Sequence, residues 1–113
     1  MRLLLGDDDI DGACNRAYYA MFEAARAALT ASGFDVGTVK THASIIGQFG
    51  LRIVQTNMVP RERGHALNEA KDVRHIADYT GEPISRDDAM AMVEQAVAFV
   101  EAIRRIVAVG EDK

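Results

Sequence analysis

The stretch Asn15-Arg16-Ala17-Tyr18-Tyr19-Ala20-Met21-Phe22-Glu23-Ala24-Ala25-Arg26-Ala27-Ala28-Leu29 contains six alanines and neither glycine nor proline, a composition that strongly favours helix. Around it, Ile10, Cys14, Ala17, Met21, Ala24 and Ala28 recur at alternating steps of four and three, the stripe of a helix buried against partners. Tyr18, Phe22, Ala25 and Leu29 form a second stripe beside the first, so the apolar face is broad. Arg16, Tyr19, Glu23, Arg26 and Thr30 fall together on the opposite side. A face this wide needs neighbours on several sides. The chain must therefore supply further helices, and this one must be central to them.

The rest of the sequence supplies those helices. The central helix should run from about Asp8 to Ser32, with Gly12 weakening its first turns and Gly33 ending it in the C-cap position. Upstream, Leu3-Leu4-Leu5 reads as the last turn of a helix whose earlier turns are missing. Gly6 would end it, and Asp7-Asp8-Asp9 would form a turn and N-cap. After a loop at 34–40, Thr41 is a plausible N-cap for a second helix with Ile46, Phe49 and Ile53 inward. Gly47 and Gly50 make this helix poor in propensity, or allow a close crossing. Met58-Val59-Pro60 breaks the run, and Pro60 suits the first turn of a third helix. There Ala66, Ala70, Val73 and Ala77 form the buried row, with Leu67 beside it. A turn at Tyr79–Pro83 follows. Ser85-x-x-Asp88 then resembles a capping box. The last helix places Ala89, Val93, Ala96, Val100, Ile103 and Val107 at heptad spacing, with Met92 and Phe99 alongside, and frays at Gly110. No stretch alternates at period two for long, so no sheet is expected. The fold class is all-α: an antiparallel four-helix bundle, its first helix truncated or missing, in a single domain over residues 1–113.

Composition narrows the function. An apolar fraction of 49% with 27% charged residues is that of an ordinary soluble domain. No run approaches the roughly 18 apolar residues of a membrane span, and the N-terminus has too short an apolar core for a signal peptide, so a cytoplasmic location follows by default. The net charge of −4 argues against a strongly basic nucleic-acid surface. The charges are uneven, however. Residues 36–80 hold six basic and four acidic side chains and all three histidines, whereas 1–35 hold three and six. Any phosphate contact should draw on the middle of the chain. The lone Cys14 sits on the buried stripe and reads as a small core residue.

Several polar constellations stand out. In Arg74-His75-Ile76-Ala77-Asp78-Tyr79, Arg74 and Asp78 are four apart and can meet at the margin of the buried row; His75 and Tyr79 share the face away from it. The pair reads either as a helix-end ion pair or as an anion contact in which Asp78 holds Arg74. On the central helix, Arg16 has no acidic neighbour three or four residues away, so with Asn15 and Tyr19 it either meets water or a partner from elsewhere. Glu23 can pair with Arg26 on the surface. Arg61-Glu62-Arg63-Gly64-His65 is the most basic patch and reads equally as solvated surface. Lys40-Thr41-His42 is weaker, since a helix cap explains Thr41. The histidines and Cys14 lack metal-ligand spacing, and no cofactor is implied. Neither a Gly-rich phosphate loop nor a Gly-x-Ser-x-Gly elbow is present.

Two phrases taken together, Asn15 to Leu29 and Arg74 to Tyr79, resemble the HEPN domain family of bacteria and archaea. Lys40-Thr41-His42 and Pro60-Arg61-Glu62 also fall where similar proteins have such residues. The resemblance implies a helical bundle, usually a homodimer, often paired with a minimal nucleotidyltransferase in toxin–antitoxin-like systems. Many members bind nucleotides or cleave RNA. Carried over by position, the family's polar pair is Asn15 and Arg16, and its later motif is Arg74, Asp78 and Tyr79. Ribonuclease members carry Arg, four to six residues, then His. Here Arg61 and His65 have three between them and His75 directly follows Arg74, so the family's acid–base histidine lacks its usual place. The expected function is a HEPN-type subunit presenting Asn15, Arg16, Tyr19, Arg74, Asp78 and Tyr79 to a nucleotide, RNA or a nucleotidyltransferase. The alternatives are a metal-independent ribonuclease toxin and a structural helical adaptor.

Overall fold

A computed structural model describes the backbone of residues 7–38, 41–82 and 84–111, and the side chains within 10–37, 41–82 and 84–107. Among the described residues there are four α-helices and no strand. They are α1 (Asp7–Ala31), α2 (His42–Phe49), α3 (Arg61–Thr80) and α4 (Arg86–Glu111). The all-α bundle expected from the sequence is what forms. The reading of Leu3–Leu5 as the end of an earlier helix lies outside the described residues. Asp7 is already helical, so the turn expected at Asp7–Asp9 is the first turn of α1 instead.

The core is built on α1. Cys14, Ala17, Tyr18, Met21, Phe22, Ala25, Ala28 and Leu29 are all buried, and α1 packs most extensively along α4 while also touching α2 and α3. Both stripes read from the sequence are therefore used. In α4 the buried row is Ala89, Met92, Ala96, Phe99 and Ile103. Val93, placed inward by the sequence pattern, is exposed, and Val100 and Val107 are half-buried. The correction follows from size: turning the helix to bury Met92 and Phe99 removes more apolar surface from water than burying Val93.

Local signals set the helix ends. Gly33 takes φ +96°, and Phe34 N donates to Leu29 O at 2.9 Å, closing α1 with a left-handed residue as glycine allows. Thr41 Oγ1 accepts from Ser44 N at 3.0 Å, capping α2. Ser85 Oγ accepts from Asp88 N at 3.1 Å ahead of α4. Pro60 lies one residue earlier than expected, as the extended N-cap of α3 rather than in its first turn. α2 passes directly into a π-helical turn, Gly50–Val54, a feature the helical pattern did not announce.

The glycines of this region separate cleanly. A Cβ at Gly47 would meet nothing within 4 Å, whereas one at Gly64 would stand 3.0 Å from Val54 Cγ2. The close approach allowed for Gly47 and Gly50 is thus made at Gly64, where α3 meets the π turn. Gly47→Ala, exposed in the interior of α2, should stabilise the chain by about 0.5–1 kcal/mol. A thermal melt should then rise by a few degrees, about 3–6 °C. An unchanged or lowered midpoint would mean that α2 uses that glycine.

Candidate functional site

Where α1, α2 and α3 meet, a cluster of rings surrounds one cation. Tyr18 and Phe22 are buried in α1 with Tyr19 beside them, 43% exposed. The rings of Tyr18 and Tyr19 meet edge to face at 5.3 Å between centroids. His42, the first residue of α2, stacks on Phe22 at 4.0 Å and meets Tyr19 edge-on at 5.8 Å. The Tyr18 hydroxyl and His42 Nδ1 are hydrogen-bonded at 3.2 Å. Burial pushes the Tyr18 phenol above its usual range, although Arg74 acts in the opposite direction. The hydroxyl thus keeps its proton at neutral pH and can donate to the ring nitrogen.

Arg74 comes from α3. Its guanidinium carbon lies 5.2 Å from the Tyr18 ring centroid and 5.3 Å from that of Tyr19, within cation–π range of both. Asp78, one turn on, holds it through a 3.4 Å ion pair. The Arg74 side chain is 24% exposed and that of Asp78 71%, so the pair sits at the margin of the core, as the spacing predicts.

On its other side Arg74 lines an open cleft of about 400 Å³ with Asn15, Asp78, Ala77, Asp11 and Glu82 among its walls. Asn15 from α1 and Arg74 and Asp78 from α3 are therefore brought together. The cleft holds three carboxylates (Asp11, Asp78 and Glu82) against the one guanidinium, so this side of Arg74 suits a cationic group and leaves the ring side of the guanidinium for an anion.

Two expected site residues stand apart from this junction. Arg16 is exposed, its guanidinium folded back so that a Cβ on Gly12 would lie 3.2 Å from Nη1. Among the described residues it makes no ion pair or hydrogen bond. Tyr79 is 84% exposed and stacks on His75 at 5.9 Å. Conversely, sequence reasoning underrates His42 and takes Tyr18 as plain core. The signal is nonetheless present: a tyrosine in a buried stripe needs a partner for its hydroxyl, and a histidine just after a helix cap is a natural donor or acceptor.

Glu23 and Arg26 pair on the surface at 3.3 Å, as expected. Cys14 is buried, and burial, then Asp11 and Asp88, push its thiol above the usual range. Both effects hold it as a protonated core side chain. Among the described residues no three His, Cys, Asp or Glu side chains are grouped to hold a metal ion, and no helix is long and apolar enough to cross a membrane.

These features define a small helical bundle whose polar residues converge on an interhelical junction of rings and one cation. The chain belongs to the HEPN domain family, whose sequence model matches residues 1–106. It is 31% identical over 90 residues to a protein of Methanocaldococcus jannaschii named "Putative toxin", covering 80% of this chain. The chain spans 65% of that relative's length. A UPF0332 protein of Gloeobacter violaceus is 31% identical over 102 residues, covering 88% of this chain and 79% of the relative. A UPF0332 protein of Thermotoga maritima is 29% identical over 108 residues, covering 94% and 79% respectively. No solved structure matches the chain.

Proposed function

We propose that this HEPN subunit is the toxin-like half of a two-protein pair and that it binds a nucleotide, free or within RNA, where α1, α2 and α3 meet. The carrying observation is Arg74, braced against the Tyr18 and Tyr19 rings and held by Asp78. A guanidinium with a partly exposed ring beside it is the pairing that takes a phosphate and stacks a base. The likeness to the Methanocaldococcus "Putative toxin" supports the toxin-like reading. The acidic cleft beside Asn15 suits a basic side chain of a protein partner, and a minimal nucleotidyltransferase is the partner class that the family implies. Titration with AMP and with a short single-stranded RNA, comparing wild type with Arg74→Ala, tests the reading. Binding at the junction, read at the Tyr19 and His42 signals, that survives Arg74→Ala undiminished would overturn it.

A second reading, ribonuclease activity, draws on one observation: His42 reaches the same rings as Arg74. The fold thus brings a histidine to the junction although the spacing along α3 supplies none. For His42 to take the proton of a ribose hydroxyl through Nε2, its Nδ1 must carry the hydrogen and donate to the Tyr18 hydroxyl. RNA fragments ending in 2′,3′-cyclic phosphate, lost in both His42→Ala and Arg74→Ala, would favour it over simple binding.

For the homodimer that the family implies, we propose the outer strip of α4 as the contact surface. Met90, Val93 and Val97 lie along one side of that helix, all exposed, Val97 at 62%. Three large apolar side chains in a row on a solvent face are a common mark of an association surface. Val97→Glu should convert a dimer to a monomer in light scattering without altering the circular dichroism. A dimer that persists in that variant would place the interface elsewhere.

A further inference from the structure

The basic segment Arg61–His65 takes no part in the junction of α1, α2 and α3. It lines a separate open cleft of about 670 Å³, between the π-helical turn and the beginning of α3. Its polar side chains are Gln55, Asn57, Arg61, His65 and Asn68, and among the described residues no carboxylate lines it. Charge therefore divides between the two clefts: the one beside Arg74 carries three carboxylates, and this one carries the Arg61 guanidinium with no carboxylate in its described lining.

The polar groups here are also uncommitted. Arg52, on the π turn, is occupied elsewhere, with its guanidinium 4.5 Å over the Phe34 ring and its Nε donating to Gln48. Arg61 and His65, by contrast, form no ion pair or hydrogen bond among the described residues. Four residues apart on α3, they share a face. Asn68 donates its amide to Gly64 O at 3.1 Å, which orients the side chain and leaves its carbonyl oxygen free. Asn57 holds a left-handed backbone, φ 64°, that asparagine tolerates better than most residues. Gly64 lets α3 approach Val54 closely, forming the cleft's floor.

We propose that this cleft binds a phosphate ester of mononucleotide size, its phosphate against Arg61 and His65 and its remainder against the amides of Gln55, Asn57 and Asn68. The volume lies in the range of small-molecule sites, roughly 300–1,000 Å³. Arginine pairs with phosphate oxygens in a two-pronged geometry, and side-chain amides match the donors and acceptors of a base edge. Arg61 and Arg74 are thirteen positions apart, about 20 Å along the helix axis and on nearly opposite faces. The site therefore stands independently of the function proposed for the junction.

The test is a titration of the isotope-labelled full chain, as wild type and as Arg74→Ala, with AMP, inorganic phosphate, adenosine and a 5′-phosphorylated trinucleotide. In both proteins AMP should shift the backbone amide signals of Gln55, Asn57, His65 and Asn68, and inorganic phosphate should compete with it. Arg61→Gln should weaken AMP binding tenfold or more at these signals while leaving the circular dichroism unchanged. AMP binding tighter than the trinucleotide assigns the cleft to a free nucleotide, and the reverse order assigns it to the 5′ end of an RNA. Adenosine binding as tightly as AMP, no effect of Arg61→Gln, or no shift at these four amides would each overturn the proposal. Because Arg74→Ala is one arm, loss of the junction and loss of this cleft are read separately.

Discussion

Phe99→Ala should destabilise the chain by about 3–5 kcal/mol, the usual cost of emptying a large buried aromatic position. Phe99 is fully buried, and its ring meets that of Phe49 at 5.3 Å with a tilt of 39°. That pair joins the last residue of α2 to the middle of α4. Two costs add. The walls of the new cavity no longer pack against a ring, and the ring–ring attraction itself, worth about 0.5–1.5 kcal/mol, disappears. A domain of this size has only about 5–15 kcal/mol of stability in all, so the variant should sit near the edge of unfolding. Urea denaturation should show a lowered midpoint with an unchanged slope. Glu101→Ala, two residues away on the solvent side of α4, is the control and should stay within about 0.5 kcal/mol. A Phe99→Ala effect below about 1 kcal/mol would mean that α2 and α4 do not share a packed core.

Arg74→Ala should do the opposite: leave the fold standing and remove the binding. Its ion pair with Asp78 is open to water on the acid's side and contributes little to stability, about 0–1 kcal/mol. The two ring contacts add about 0.5–2 kcal/mol. No buried charge is orphaned, because Asp78 stays solvated. A phosphate contact, by comparison, is a charge-assisted hydrogen bond worth about 1.5–3 kcal/mol. The affinity for AMP or RNA at the junction should therefore fall about tenfold to a hundredfold. Arg74→Lys should lie between, since it keeps the charge and loses the flat, forked geometry. If Arg74→Lys equals Arg74→Ala, shape rather than charge is what the site requires; if neither changes affinity, the phosphate is not at Arg74.

The two stripes of α1 are legible in the sequence because a helix buried on a broad face must repeat at three and four. The caps at Thr41 and Ser85 are legible because they act over three residues. Arg74 and Asp78 are legible as a pair for the same reason, their spacing alone bringing them together. What those two residues face is not. Arg74 meets Tyr18 and Tyr19 across more than fifty residues of chain, through the rotation of α3 against α1, and no local pattern encodes a rotation. The same gap explains Val93, placed inward by spacing and turned outward by the larger claims of Met92 and Phe99. It explains Arg16 too. With no acidic neighbour on its own helix, it is a natural candidate for a partner from elsewhere, and it folds back over Gly12 instead. The π turn at Gly50–Val54 escapes because one extra residue in a helix leaves no compositional mark.

The burial of Cys14 gives the chain a built-in clock. Its sulfur lies on α1, 1% exposed and with its proton held tightly, so a thiol reagent in solution can reach it only while α1 is parted from its neighbours. As the sole cysteine of the chain, it yields a single labelling rate with nothing to subtract. That rate converts to the free energy of the opening when reclosing is faster than labelling. A ligand at the junction and one in the Arg61 cleft grip different parts of the bundle. Each would slow this clock by its own amount, turning one sulfur atom into a gauge of how firmly each site is tied to the core.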